Sequence, residues 1–362
     1  MNNTAGQCPN AKYTHIQDAI NAASAGDEIR ICNGTYNEQL VINKSLDIDA
    51  DTGVFLVPAP MQANTASLAT GDAIAAAVVV SGAGNVSISG LTVDGISNGI
   101  SACAPRVIGI YFQNSSGQIQ HAAVRNFKLG VSDNGCQSGT GIFVESGGSG
   151  ASTVEISDAS IHDFQKNGIT ANGAGTDVHI HNNTVTGLGP TTGAAQNGIQ
   201  IGFSATGSIR ENVVTNLIWS PCTDANTCQA VATAILVTQS DNVRISGNTA
   251  GVTQVGIFVD GNNATIRGNK AFSAAVFDDI RVEGNGSRVR ENQTSNAGEA
   301  GIFVSGNNNV IEENSITDAP VGILKATGST GNILSGNVYF NVAVRRVDPP
   351  IPSLAGKIQP ER

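Results

Sequence analysis

A glycine followed by isoleucine returns along this chain at a fixed phase, and that repeat limits the fold more than any other feature. It appears as Gly141-Ile142-Phe143-Val144, Gly168-Ile169, Gly198-Ile199-Gln200-Ile201, Gly256-Ile257-Phe258-Val259, Gly301-Ile302-Phe303-Val304 and Gly322-Ile323-Leu324, with Asp279-Ile280-Arg281-Val282 in one of the places. The last four begin at residues 256, 279, 301 and 322, a period of about 22. Ten to thirteen residues after each start stands a second apolar residue, then two spacers, then asparagine: Ile180/Asn183, Ile209/Asn212, Ile245/Asn248, Ile266/Asn269, Val289/Asn292, Ile311/Asn314 and Leu334/Asn337. A unit this short cannot bury its own apolar face, so successive units must stack and share one core.

One asparagine per unit has a physical reason. Asparagine tolerates the left-handed backbone of a tight bend. Stacked on copies of itself about 4.8 Å apart, its amide can bond to the amides above and below. A third short strand follows each asparagine, and a loop of variable length returns to the next unit. The pattern therefore predicts an all-β, single-stranded, right-handed parallel β-helix of roughly a dozen coils. Neither a leucine consensus nor a Thr-x-Thr ladder is present, which disfavours leucine-rich and antifreeze solenoids.

The N-terminal segment reads as a cap for that solenoid. Thr14 to Gln17 fits a capping box. Ile16, Ala19, Ile20 and Ala23 follow at helical spacing, and Gly26 supplies a left-handed stop. The expected organisation is a cap of helix and first coil over residues 1–50, the β-helix over 51–345, and a proline-rich tail over 346–362.

Composition supports a repeat fold and narrows the partners. The 362 residues include 43 glycines, only 13% charged residues and 4% aromatics, which suits short strands and tight turns better than two enzyme domains. A net charge of −10 argues against nucleic acid, whose phosphates need a basic face. No apolar run approaches a membrane span, and no signal peptide is evident. Six cysteines lack zinc or redox spacing and read as three local disulfides: Cys8 with Cys32, Cys103 with Cys136, and Cys222 with Cys228. Secretion or a periplasmic location follows from them. Asn292 belongs both to a glycosylation sequon and to the ladder, so a bacterial product without N-glycans is expected.

With these residues in view, the chain resembles a known superfamily. Tyr13 to Ile20, then Ala25-Gly26-Asp27-Glu28-Ile29 and Asn33-Gly34-Thr35-Tyr36-Asn37-Glu38, resemble the opening of pectin-lyase-like β-helix proteins. The Gly-Ile and Asn repeat is similar to the carbohydrate-binding and sugar-hydrolase module of bacterial parallel β-helix proteins. The resemblance covers most of the chain and implies the fold; for function it implies only a range, from lyases and esterases to adhesins. The Asn-Thr-Asp and Gly-His-Gly of polygalacturonases, the Gly-Arg-Pro-Trp of pectin esterases, the Asp-Pro-His-Asp of mannuronan epimerases and the Val-Trp-Ile-Asp-His type signature of pectate lyases are all missing. No nucleophile elbow supports a Ser-His-Asp hydrolase.

Function must then come from side chains flanking the buried isoleucines, which point outward in a strand of period two. On the first strand these include Tyr111, Phe143, Phe258 and Phe303, either a stacking platform for sugar rings or a surface covered by a return loop or the C-terminal tail. Trp219 lies in a long return segment expected to wall one side. Glu145, Asn172, Asp260 and Glu283 follow one outward position further on. Asp260 and Glu283 occupy equivalent places in adjacent coils, about 5 Å apart, and two carboxylates that close call for a cation such as calcium, a shared proton or Arg281. A polysaccharide lyase needs a base and a cation, which makes Asp279, Arg281 and Glu283 one candidate catalytic set. A second gathers Glu145, His162, Asp163, Lys166 and Asn172. On the second strands, His179, His181, Arg210, Arg244, Arg267, Arg288 and Arg290 form a stripe partly offset by Glu291 and Glu312.

Three functions remain open from sequence: a lyase-type enzyme on an acidic glycan, favoured here and expected to be monomeric; a non-catalytic carbohydrate-binding or surface-structural solenoid; and a periplasmic metal-processing protein. The lack of a Cys/His/Met ligand cluster disfavours the last.

Overall fold

The computed structural model describes residues 8, 10–130, 135–348, 354 and 356–362. Two compact units divide the chain, one of residues 1–184 with Arg362 and one of residues 185–361. In the first, the second strands Glu28–Ile31, Leu46–Ala50, Val86–Ser89, Gly117–Gln120, Ser152–Ser157 and Thr176–His181 stack in parallel register. In the other, Thr206–Arg210, Arg244–Ser246, Thr265–Arg267, Arg288–Arg290, Val310–Glu312 and Ile333–Ser335 do the same. First and third strands stack likewise within each unit, as in Thr140–Glu145 on Asn167–Asn172 and Lys270–Ala274 on Gln293–Ser295. The fold is a right-handed parallel β-helix.

The repeat's chemistry follows from this stacking. A Cβ on Gly141 would sit 2.6 Å from the Gly168 carbonyl oxygen and 2.7 Å from Ile161, and one on Gly256 would sit 2.3 Å from the Asp279 carbonyl. The first strand thus passes too close to its neighbours for a side chain. The isoleucine that follows is buried in coil after coil: Ile142, Ile169, Ile199, Ile257, Ile280, Ile302 and Ile323 are all 0% exposed.

The asparagines form the expected inner ladder. In the second unit the backbone N–H and Nδ2 of Asn248 both donate to Oδ1 of Asn269, at 2.9 and 3.0 Å. The same pair of bonds joins Asn212 to Asn248, Asn269 to Asn292, Asn292 to Asn314 and Asn314 to Asn337. Each Nδ2 from Asn248 onward also donates to a carbonyl of the preceding coil, such as Asn269 to Ile245. One detail differs from the sequence reading: the left-handed residue is the one before the asparagine, namely Asn182, Glu211, Gly247, Gly268, Glu291, Glu313 and Gly336. The bend aims the asparagine inward, and its amide satisfies donors that the bend leaves free.

The N-terminal helix spans Ile16–Ala22 and buries Ile16, Ala19 and Ile20. Its cap differs from the expected box. His15 is the N-cap and makes no side-chain capping bond. The Glu38 carboxylate instead accepts the N–H groups of Ile16 and Gln17, both at 2.9 Å. Gln17 turns away to exchange bonds with the main chain of Val41. The helix ends at Ala22, and the left-handed Gly26 comes later, in the turn into Glu28–Ile31. Three disulfides join Cys8 to Cys32, Cys103 to Cys136 and Cys222 to Cys228. Among the described residues no helix is long and apolar enough to cross a membrane.

Replacing Asn269 by Leu leaves buried amide partners on both sides unsatisfied, at about 1–3 kcal/mol per group. Denaturant midpoints should fall accordingly, while Thr265→Ala on the adjacent outward position should change little.

Candidate functional site

In the first unit the predicted aromatic platform begins with Tyr111 and Phe143, aligned in adjacent coils with ring centroids 5.2 Å apart. Both are fully buried, so of the two readings the covered surface holds here and the exposed platform does not. The cover is a loop that the repeat does not announce. Strand Thr65–Ala66 pairs antiparallel with Ala73 and Ile74, and the turn between them lies on the first-strand face. Glu145, also fully buried, fastens it. Its carboxylate accepts Ser67 Oγ at 3.0 Å, Leu68 N–H at 2.8 Å, Ala69 N–H at 3.1 Å and the Tyr111 hydroxyl. Burial, then the Glu145 charge, holds the Tyr111 phenol far above its ordinary range and therefore protonated.

The second candidate set does not come together. Glu145 and Asn172 are paired in register on first strands. His162 ends a third strand and pairs with its neighbour Asp163 at 2.7 Å, on another side of the coil. Lys166 and Asn172 are buried, at 0% and 2% exposure, and neither can meet a polymer from solution.

In the second unit one column of first-strand side chains runs Gln200, Leu236, Phe258, Arg281, Phe303, Leu324. Arg281 lies 3.5 Å from the centroid of the Phe303 ring and is 1% exposed. Its Nη1 donates to Asp278 at 2.8 Å and its Nε to Glu283 at 2.8 Å, with Glu299 at 3.9 Å. Asp279, the neighbour proposed for catalysis, is instead held by the Ala274 N–H at 3.2 Å, and its other oxygen is buried without a hydrogen-bond partner among the described residues. Burial pushes Asp279 up to about 8. It also lifts Asp278, outweighing the Arg281 charge that opposes it.

The proposed calcium pair is engaged elsewhere. Asp260 accepts the Thr238 hydroxyl at 2.7 Å and the Gln239 N–H at 2.6 Å. Burial, with the Glu283 charge assisting, raises its pKa. Glu283 accepts both Arg281 and the Leu354 N–H. Among the described residues no three His, Cys, Asp or Glu side chains are grouped to hold a metal ion.

The C-terminal tail is what covers this face. Leu354 and Ile358 pack with Leu236, Val255, Phe258 and Phe277 against the Cys222–Cys228 loop. Gln200 exchanges two bonds with the main chain of Glu361, at 2.6 and 2.9 Å, and Val231 pairs with Ile358 as an isolated parallel bridge. Trp219 belongs to the wall of this cluster, its indole N–H given to the Gly193 carbonyl at 2.8 Å. Phe258, under the tail, and Phe303, packed with Ala300, Leu324 and Ala326, are 0% exposed, so of the two readings left open by the sequence the covered surface holds and the stacking platform does not. Asp278, Glu299 and Ile358 are the residues that sequence reasoning missed. The adjacent acid in Asp278-Asp279 was a visible signal for the first of them, since outward phase alone does not choose between neighbours.

Comparison with known proteins agrees on fold. A family model described as periplasmic copper-binding protein (NosD) matches residues 190–348, less than half of the chain. No curated protein matches. Among solved structures, the Dettilon tailspike protein gp208 superposes with TM-score 0.54 at 15% identity; the match covers 89% of this chain, which spans only 63% of the tailspike. The surface protein and adhesin PfbA of Streptococcus pneumoniae gives 0.50 at 12%, covering 93% and 95% of the two chains. The A-module of the Azotobacter vinelandii mannuronan C-5 epimerase AlgE6 gives 0.50 at 14%, covering 93% and 94%. Copper does not fit the matched segment. Residues 190–348 contain no histidine and no methionine, and their two cysteines are joined to each other. Copper sites draw on imidazole, thiolate and thioether ligands.

Two outcomes follow from the buried cluster. Arg281→Ala strands buried carboxylates and should cost about 3–5 kcal/mol. A carboxyl with a raised folded pKa stabilises the fold in acid and loses that contribution as pH climbs through its folded value. Stability should therefore decline between about pH 4 and pH 8, and Asp279→Asn should flatten the decline.

Proposed function

We propose that this chain is an extracytoplasmic, non-catalytic carbohydrate-binding β-helix that acts as a monomer, with acidic polysaccharide as its ligand class. One observation carries the reading. The first-strand face, where a lyase would need its base and its cation, has its carboxylates and its arginine spent on internal partners beneath the tail and the Ser67–Ala69 turn. A general base must reach the proton it abstracts, and Arg281 at 1% exposure does not. The three disulfides support an oxidising compartment. The names of the similar folds, an adhesin and a mannuronan epimerase among them, are in keeping with a role toward polysaccharides; the choice of ligand class is our inference.

The favoured alternative from sequence, lyase action assisted by calcium at Asp260 and Glu283, would require both carboxylates to release their present partners. A single experiment separates the two. The protein is incubated with polygalacturonate, alginate and a neutral glucan, with calcium or with a chelator, and followed by ultraviolet absorbance and by affinity electrophoresis. Retardation by an acidic polymer without new absorbance is the expected result, unchanged by the chelator. Chelator-sensitive formation of unsaturated product would overturn it.

A further inference from the structure

In the second unit the outer side of the third strands, like that of the second strands, is open to solvent. Two columns stand on it in register. One runs Lys270, Gln293, Ser315, Val338 and the other Phe272, Ser295, Thr317, Phe340. Phe340 is 71% exposed and Val338 64%, while Phe272 is half-buried. Phe272 and Phe340 lie three rungs apart, about 14 Å at the usual strand spacing. Hydroxyl and amide side chains fill the rungs between them.

The strip opens directly onto a groove. Ser295, Thr317 and Phe340 are each followed by a left-handed residue, Asn296, Asp318 and Asn341. With Pro320, Tyr339 and Arg345 these line a hollow of about 580 Å³, well within the size range of ligand sites. Charge indicates what it takes. The Lys270 ammonium lies 5.8 Å from the Phe272 ring centroid, and neither Lys270 nor Arg345 has an ion-pair partner among the described residues. Asp318, the one acid in the groove, is bonded by the Asn341 amide. Lys270 beside the Phe272 ring and Arg345 in the groove are thus two cations free to meet carboxylates, against the single acid Asp318 in the groove lining.

We propose that this third-strand strip and its groove bind an acidic polysaccharide laid along the stacked coils. The apolar C–H faces of its rings rest on Phe340 and Phe272, its hydroxyls meet Gln293, Ser295, Ser315 and Thr317, and its carboxylates meet Lys270 and Arg345. Aromatic rings suit such faces because they offer a large rigid apolar surface. The inference rests on the carbohydrate-binding reading and gives it a place.

The test is calorimetric titration of the full chain with an oligogalacturonate and with its methyl ester, which keeps the rings and removes the charge. Phe340→Ala should weaken both ligands, by about tenfold for the loss of one aromatic contact. Lys270→Ala and Arg345→Ala should weaken the acid and spare the ester, and Arg244→Ala on the second strands should leave both unchanged. Circular dichroism confirms the fold of each variant. If the wild-type chain binds but Phe340→Ala and Arg345→Ala bind equally well, the strip is overturned while the carbohydrate-binding reading stands. If the wild-type chain binds no acidic glycan, that reading falls and the strip with it. If sedimentation finds a dimer that Phe340→Ala dissociates with glycan affinity unchanged, the surface belongs to a second copy and the proposal is overturned.

Discussion

The structure depends on one buried side-chain amide repeated coil after coil. A chain that turns three times in about 22 residues leaves backbone N–H groups at each bend with no partner in their own coil. Water cannot reach them, and an unmet buried donor is costly. Asn248, Asn269, Asn292 and Asn314 meet that need with one geometry, each serving the coil before it and receiving from the coil after. The glycines of the first strand and the isoleucines beside them follow once the coils are held this close.

This division explains what could be read from sequence and what could not. The ladder, the buried isoleucines, the capping helix and the disulfide partners are local or periodic, and periodic constraints leave a periodic trace. Whether the first-strand face was open or covered could be posed from sequence but not decided, because its covers come from segments with no repeat and far from what they cover. Ser67–Ala69 closes over Glu145, and Leu354 and Ile358 close over Phe258 and Glu283. Glu38 capping the helix at Ile16 is the same kind of event on a smaller scale. Outward phase was read correctly for Phe143, Phe258 and Phe303; outward from the coil was simply not outward to solvent.

The burial also changes what the charged groups do. Arg281 stacked on Phe303 and gripped by Asp278 and Glu283 has the look of a reactive centre when only residue types are considered. In position it fastens a tail to a sheet. Its carboxylates are spent on guanidinium and main-chain N–H groups, as Glu145 is in the other unit on a different cover. Both units thus use a buried acid to hold a non-repeating segment against the first strands.

The inner ladder has a direction. In the second unit the inner-ladder oxygens of Asn248, Asn269, Asn292, Asn314 and Asn337 each accept from the coil on the N-terminal side, so this bend is satisfied only once the following coil is in place. Order in such a stack travels backward against the chain, and each newly formed coil completes its predecessor rather than itself. The last asparagine, Asn337, completes Asn314, and beyond it the ladder gives way to the open coil bearing Val338 and Phe340. Loss of any one coil in this ladder would free the amides of the coil before it and leave those of the coil after it paired.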